Sequence, residues 1–195
     1  CAAEVKNESS AAKQLYLESV ITDRAGKVIK RFKGDLAAIA AGQTVILQSS
    51  ASVSGLNFWS WGYGYLYDVQ TLVKQGDAII DGVTTRTGFR KTAFKDGMIY
   101  LNDRIINVHG YAQRTTNEWP SIGLSVPAWL SDYSNGLMVE GNANLVRWMH
   151  VTPWKQDVES CDRVGLMQAM PAGDSEGDVK DRRWEQRKEV MRDAI

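Results

Sequence analysis

The sequence predicts two architectures in succession, an all-β sandwich and then a parallel α/β segment. Three observations carry this reading. Over residues 1–92, short β-branched and aromatic runs alternate with Gly- and Asp-rich turns, at the spacing of a sandwich of about seven strands. After about Phe94 the rhythm becomes strand, helix, strand, helix, strand, helix, the pattern of parallel strands joined by crossovers. The predicted helices run about 11 to 15 residues, long enough to return across a sheet. The domains are accordingly predicted at residues 1–92 and 93–195.

"KQLYLESVITD" is rich in β-branched and aromatic residues and ends at the turn "DRAGK"; "GKVIKRF" follows as the second strand of a hairpin. "GQTVILQSSASV" and "YLYDVQTLV" continue the pattern, and "GDAIIDGVTTRTGF" adds a further pair. Between them, the alanines of Leu36–Gly42 favour helix, although a loop between strands fits equally. "KDGMIYLNDRIINVHGYA" reads as a hairpin, turning at "LNDR" and running into an apolar strand. The helical stretch "VPAWLSDYSNGLMVEGN" has Pro127 at its entry and Gly141 at its exit. The strand "NLVRWMH", the helix "PWKQDVESCDRVG", the strand "LMQAM" and the helix "RRWEQRKEVMRDAI" complete the order. Ile195 sits inside that last helical pattern with no stop signal, so a longer chain is expected.

The 195 residues are 44% hydrophobic and 24% charged, a soluble globular composition. Lys+Arg and Asp+Glu both number 23, so no net field draws nucleic acid or an anionic membrane. The basic stretch "DRRWEQRKEVMRD" interleaves its charges at helical spacing, as a solvated helix face does. No apolar run has transmembrane length, and no signal-peptide pattern is present. Cys1 and Cys161 are far apart and lack metal-site spacing, and Cys161 falls on the apolar side of its helix. No cofactor or metal is expected.

Arg147 and His150 stand out within the apolar strand "NLVRWMH". A buried cation is costly unless a carboxylate pairs with it. In parallel α/β folds the carboxyl ends of the strands face the site. His150 ends its strand, and Arg147 alternates with Leu145 and Met149 toward one face. Each residue alone also suits a structural role, Arg147 as an ion pair and His150 as a hydrogen-bonded strand end.

"GFRKTAFKDGMIYLNDRIINVHGYA" followed by "GNANLVRWMHVTP…DVESCDRVGLM" resembles glycoside hydrolase family 2. The matching residues are Gly88-Phe89-Arg90, Leu101-Asn102-Asp103, Gly110, Asn144, Val146-Arg147, His150, Pro153, Cys161-Asp162 and Gly165-Leu166. Trp59 and Leu66-Tyr67 resemble a strand of the family's sandwich. The resemblance implies an immunoglobulin-like β-sandwich followed by the first three βα units of a TIM barrel. It implies two catalytic glutamates, about 5 Å apart in a retaining site, at the ends of the fourth and seventh strands. No catalytic residue is therefore expected among these 195, and the segment alone is expected to be inactive.

The family's active-site Arg and His carry over to Arg147 and His150. The chain departs from the pattern at Ala112, Arg114 and Thr115, which replace the family's Asn, His and Glu. Met170 and Pro171 likewise replace an acidic pair. Gln113, Arg114 and Asp174 are candidate substitutes for sugar contacts, and no magnesium site is carried across. Among the seven tryptophans, Trp119, Trp148 and Trp154 are candidate stacking platforms for sugar, whereas Trp59 and Trp184 are expected to pack in the core.

The function implied is a retaining exo-β-glycosidase, a β-galactosidase above others, with a β-linked carbohydrate as substrate and the remainder of the barrel as structural partner. A homo-oligomer and an extracytoplasmic location are compatible with this. The alternative is a non-catalytic carbohydrate-binding or scaffold protein, for which the departures in "AQRTT" and "AMPAGD" argue.

Overall fold

Residues 1–113, 122, 126–149, 152–171 and 180–194 are described in a computed structural model. Two units divide the chain, one of Cys1–Asn57 with Leu66–Phe89, the other of Phe58–Tyr65 with Arg90–Ile195.

Seven strands build the first unit: β1 (Ala2–Lys6), β2 (Lys13–Thr22), β3 (Val28–Lys33), β4 (Ala37–Ile39), β5 (Thr44–Gln48), β6 (Tyr67–Gln75) and β7 (Ala78–Thr87). One sheet has the order β3-β2-β6-β7, with β4 added on the first residues of β2, and a second sheet pairs β1 with β5. All these pairings are antiparallel. β2 lies between β3 and β6, which is why Leu17 through Ile21 are buried without interruption. Leu15, Leu17, Ile39, Leu47 and Val73 form the core between the layers, with Val5 and Val45 packed on its margin. Each such side chain stabilises by roughly 1.5–3 kcal/mol.

Two details differ from the sequence reading. The Ala-rich stretch after Leu36 forms strand β4, because pairing with β2 carries Ile39 into the core at 0% exposure. "GDAIIDGVTTRTGF" makes one continuous strand, β7, which pairs with β6 from Gln75↔Ala78 to Tyr67↔Thr87. At the β2–β3 turn, Asp23 Oδ1 accepts from the N–H groups of Ala25 and Lys27, at 2.9 Å each.

The second unit opens with an antiparallel meander of β8 (Thr92–Lys95), β9 (Met98–Leu101) and β10 (Arg104–Ile106). Three parallel strands follow, β11 (Gly110–Gln113), β12 (Leu145–Trp148) and β13 (Met167–Ala169), in the order β11-β12-β13. Helix α1 (Ala128–Glu140) connects β11 to β12, α2 (Lys155–Val164) connects β12 to β13, and α3 (Asp181–Ala194) comes last. Pro127 caps the start of α1, and Gly141 and Gly165 close α1 and α2. Met138, Ala143, Val146, Trp148, Cys161 and Leu166 form the core where the helices cover the sheet.

The segment Phe58–Tyr65 docks on this second unit through Trp59, which is 5% exposed. Its indole N–H donates to the Asp162 carbonyl at 2.8 Å, and the Arg90 guanidinium lies 5.6 Å from its ring centre. Asn102 Nδ2 donates to the Trp59 carbonyl, and Gly62 N–H donates to that of Gly165. Residues from four of the motifs that carried the family resemblance thus meet here, at the carboxyl end of α2, where they serve stability.

Candidate functional site

In a parallel sheet, residues in register share a face. Ala112, Arg147 and Ala169 are in register across β11, β12 and β13. Arg147 is exposed, while Val146 and Trp148 on either side of it are buried under the helices. The guanidinium therefore belongs to the face away from α1 and α2, flanked by two alanines that leave it room. Alternation along the strand thus separates the guanidinium from the apolar layer formed by Val146 and Trp148.

The same register moves two other candidates to the opposite face. Gln113 is aligned with Trp148. Trp148 is 1% exposed, and its indole N–H donates to Gln168 Oε1 at 2.8 Å. Gln113 Nε2 is 3.5 Å from Asn135 Oδ1 on α1. Strand alternation turns both Gln113 and Trp148, candidates for sugar contact, toward the helices, where Trp148 packs the core. Trp154 stands 53% exposed at the start of α2, and Trp184, expected in the core, is 52% exposed on the polar helix α3. His150, Arg114, Asp174, Thr115 and Trp119 lie outside the described residues.

Beneath the strand ends runs a polar layer that the sequence reading did not single out. Ser131 and Asn135 of α1 face Asp157 and Ser160 of α2, and all four are at most 4% exposed. Ser131 Oγ donates to Asp157 Oδ1 at 2.7 Å, and Asn135 Nδ2 donates to Ser160 Oγ at 3.0 Å. The spacings four and three residues apart put each pair on one helix face, a signal that small polar residues in an amphipathic stretch could have supplied. Asp157 Oδ2 is buried without a hydrogen-bond partner. Burial raises the Asp157 carboxyl above its ordinary value, opposed by the Ser131 hydroxyl and the backbone at Trp154. Burial likewise raises Asp162, opposed by Arg90 and Arg163, and pushes the Cys161 thiol well up, leaving it an inert core residue.

His109 and Asn144 tie the strand beginnings together at the other end of the sheet. Asn144 Oδ1 accepts from the His109 backbone N–H at 3.0 Å, and its Nδ2 donates to the Asn107 carbonyl at 2.7 Å. The described carboxyl ends of the three strands, Gln113, Trp148 and Ala169, hold no carboxylate. Among the described residues the arrangement offers a cation on an open face of a parallel sheet, suited to orienting hydroxyl or carboxylate groups, and no acid–base pair.

Residues 1–90 match the model of the glycosyl hydrolases family 2. Residues 1–90 are a family 2 segment. The chain is 29% identical over 193 residues to a β-glucuronidase of Formosa agariphila, covering 98% of this chain and 20% of that protein. It is 27% identical over 111 residues to a β-galactosidase of Thermoanaerobacter pseudethanolicus, covering 56% of this chain and 15% of that one. A solved β-glucuronidase of the family superposes with a TM-score of 0.88 at 28% identity, over 100% of this chain and 20% of its own. A Bacteroides uniformis β-glucuronidase shares the fold, with a TM-score of 0.78 at 21% identity over 97% of this chain and 23% of its own. The chain thus spans about a fifth of the length of the first relatives it matches. It is a piece of glycoside hydrolase architecture, homologous to β-glucuronidases and β-galactosidases.

Proposed function

We propose that the whole protein is a retaining exo-glycosidase that removes terminal β-linked sugars, with residues 1–92 as its sandwich and residues 93–195 as the first three βα units of its TIM barrel. The observation that carries this is Arg147 on the open face of a parallel βαβαβα array, within a chain aligned almost end to end with a β-glucuronidase. Two glutamates from later strands would supply the double displacement, one as acid–base and one as nucleophile. Arg147 would orient substrate or hold one of those carboxylates ionised. His150, Arg114 and Asp174 are assigned to the same mouth by their positions just beyond the strands. Galactoside was the substrate expected from the motifs. The longer match with a β-glucuronidase supports testing glucuronide beside it, since an exposed arginine suits a sugar carboxylate.

The test is hydrolysis of 4-nitrophenyl β-D-galactoside and β-D-glucuronide by the whole protein and by its R147A variant. Wild-type turnover of one of them is expected, with kcat/KM falling about 100-fold in R147A, the scale of a lost electrostatic contact. The melting temperature is measured alongside, so that loss of turnover in a folded variant is told apart from loss of the fold. No hydrolysis of either would favour the non-catalytic carbohydrate-binding reading, which the departures at Ala112, Met170 and Pro171 support.

A further inference from the structure

We propose that the turn Phe58–Tyr65 is a second carbohydrate-binding platform, separate from the strand ends and serving to hold polymeric substrate. The proposal rests on the glycoside reading above for the class of ligand. The turn sits at the carboxyl end of α2, the end of a βα unit opposite the mouth where the strands finish. Phe58, Trp61 and Tyr63 are 54%, 37% and 48% exposed.

These rings are held on a rigid base. Ser60 and Tyr63 exchange both backbone hydrogen bonds at 3.0 Å, with Trp61 and Gly62 at the tip. Gly62 takes φ 67°, and its N–H is tied to Gly165. Trp59 anchors the turn from beneath. The rings of Tyr63 and Tyr65 lie 5.8 Å apart and tilted by 33°, so Tyr63 is propped by a neighbour. A preorganised aromatic surface binds with little ordering cost.

The chemistry of the turn selects the occupant. None of its eight residues, FWSWGYGY, is charged or aliphatic. An anionic membrane would call for Lys or Arg among the exposed rings, whereas Arg90 lies over the buried Trp59; a helix-binding groove would call for aliphatic or Met side chains in the turn. A pyranose has an apolar C–H face and a rim of hydroxyls. Ring faces carry partial negative charge that attracts such C–H groups, and Ser60, Tyr63 and Tyr65 add hydroxyls.

The experiment is affinity electrophoresis of the whole protein through gels containing β-1,4-galactan, xylan or glucuronoxylan, comparing wild type with W61A/Y63A. Thermal unfolding and hydrolysis of the small 4-nitrophenyl glycosides run alongside. Retardation by at least one polysaccharide is expected, lost in W61A/Y63A while its melting temperature stays that of wild type. Passage through all three gels without retardation overturns the proposal, as does equal retardation of the variant. A change of oligomeric mass on substitution, without retardation, also overturns it, in favour of a second copy of the protein on this surface. Retention is read independently of turnover, so failure of the platform and failure of the glycosidase reading are told apart.

Discussion

Asp157 is a carboxylate that the fold stabilises less than water would. One oxygen accepts from Ser131 and the other is buried without a partner. Its native pKa is raised above the value near 3.8 of an exposed carboxylate. Between those two values the native state binds more proton than the unfolded chain. Stability therefore falls as pH rises through the raised native pKa. The urea midpoint of D157N should rise relative to that of wild type as pH increases from about 4; parallel curves would mean that Asp157 is satisfied in solution. Residues of this kind were illegible in the sequence, because Asp157 reads as an ordinary acid in a first helical turn. Arg147 was legible as a candidate from its motif. For Gln113 and Trp148 the sequence marked proximity to a strand end, whereas the two-residue alternation, which decides which face a side chain takes, sets both on the face opposite Arg147.

At the scale of elements, α2 is anchored by its exit. Gly165 has φ 79°, and a Cβ there would lie 2.7 Å from Gly62 N, Ser60 O and Tyr63 N, all backbone atoms. G165A should cost about 2 kcal/mol or more, from the left-handed conformation together with displacement of the Phe58–Tyr65 turn. Denaturant unfolding checks this, and a loss below about 0.5 kcal/mol would show that the turn is loosely held. The longer elements were readable in advance because their periods are strong: β2, α1 and α2 lie within the stretches predicted for them, and β6 overruns its own by two residues, Lys74 and Gln75. β4 and the undivided β7 were not, since three residues of alanine and isoleucine, or a Gly-interrupted run, acquire their state only from the strand beside them.

Across the whole molecule, β12 is hydrogen-bonded on both sides, while β11 and β13 each pair on one side only among the described residues. In the 195-residue chain, amides of Gly110–Gln113 and Met167–Ala169 should exchange faster than those of Leu145–Trp148. On the barrel reading proposed above, further strands on those edges would even out the protection. Equal protection in the short chain would count against open edges. The sequence by itself determined the order of β and α/β parts, the family to which the pattern belongs and the importance of the strand carrying Arg147, because periodicity and motif spacing are local properties of the chain. Only the tertiary structure decided which side chains share the face of Arg147 and which turn inward. It also decided that Trp59, Arg90, Asn102 and Asp162 converge on one anchor, from positions as far apart as 103 residues. The physical reason is that strand register and helix packing are settled by burial between distant segments, which no local pattern specifies.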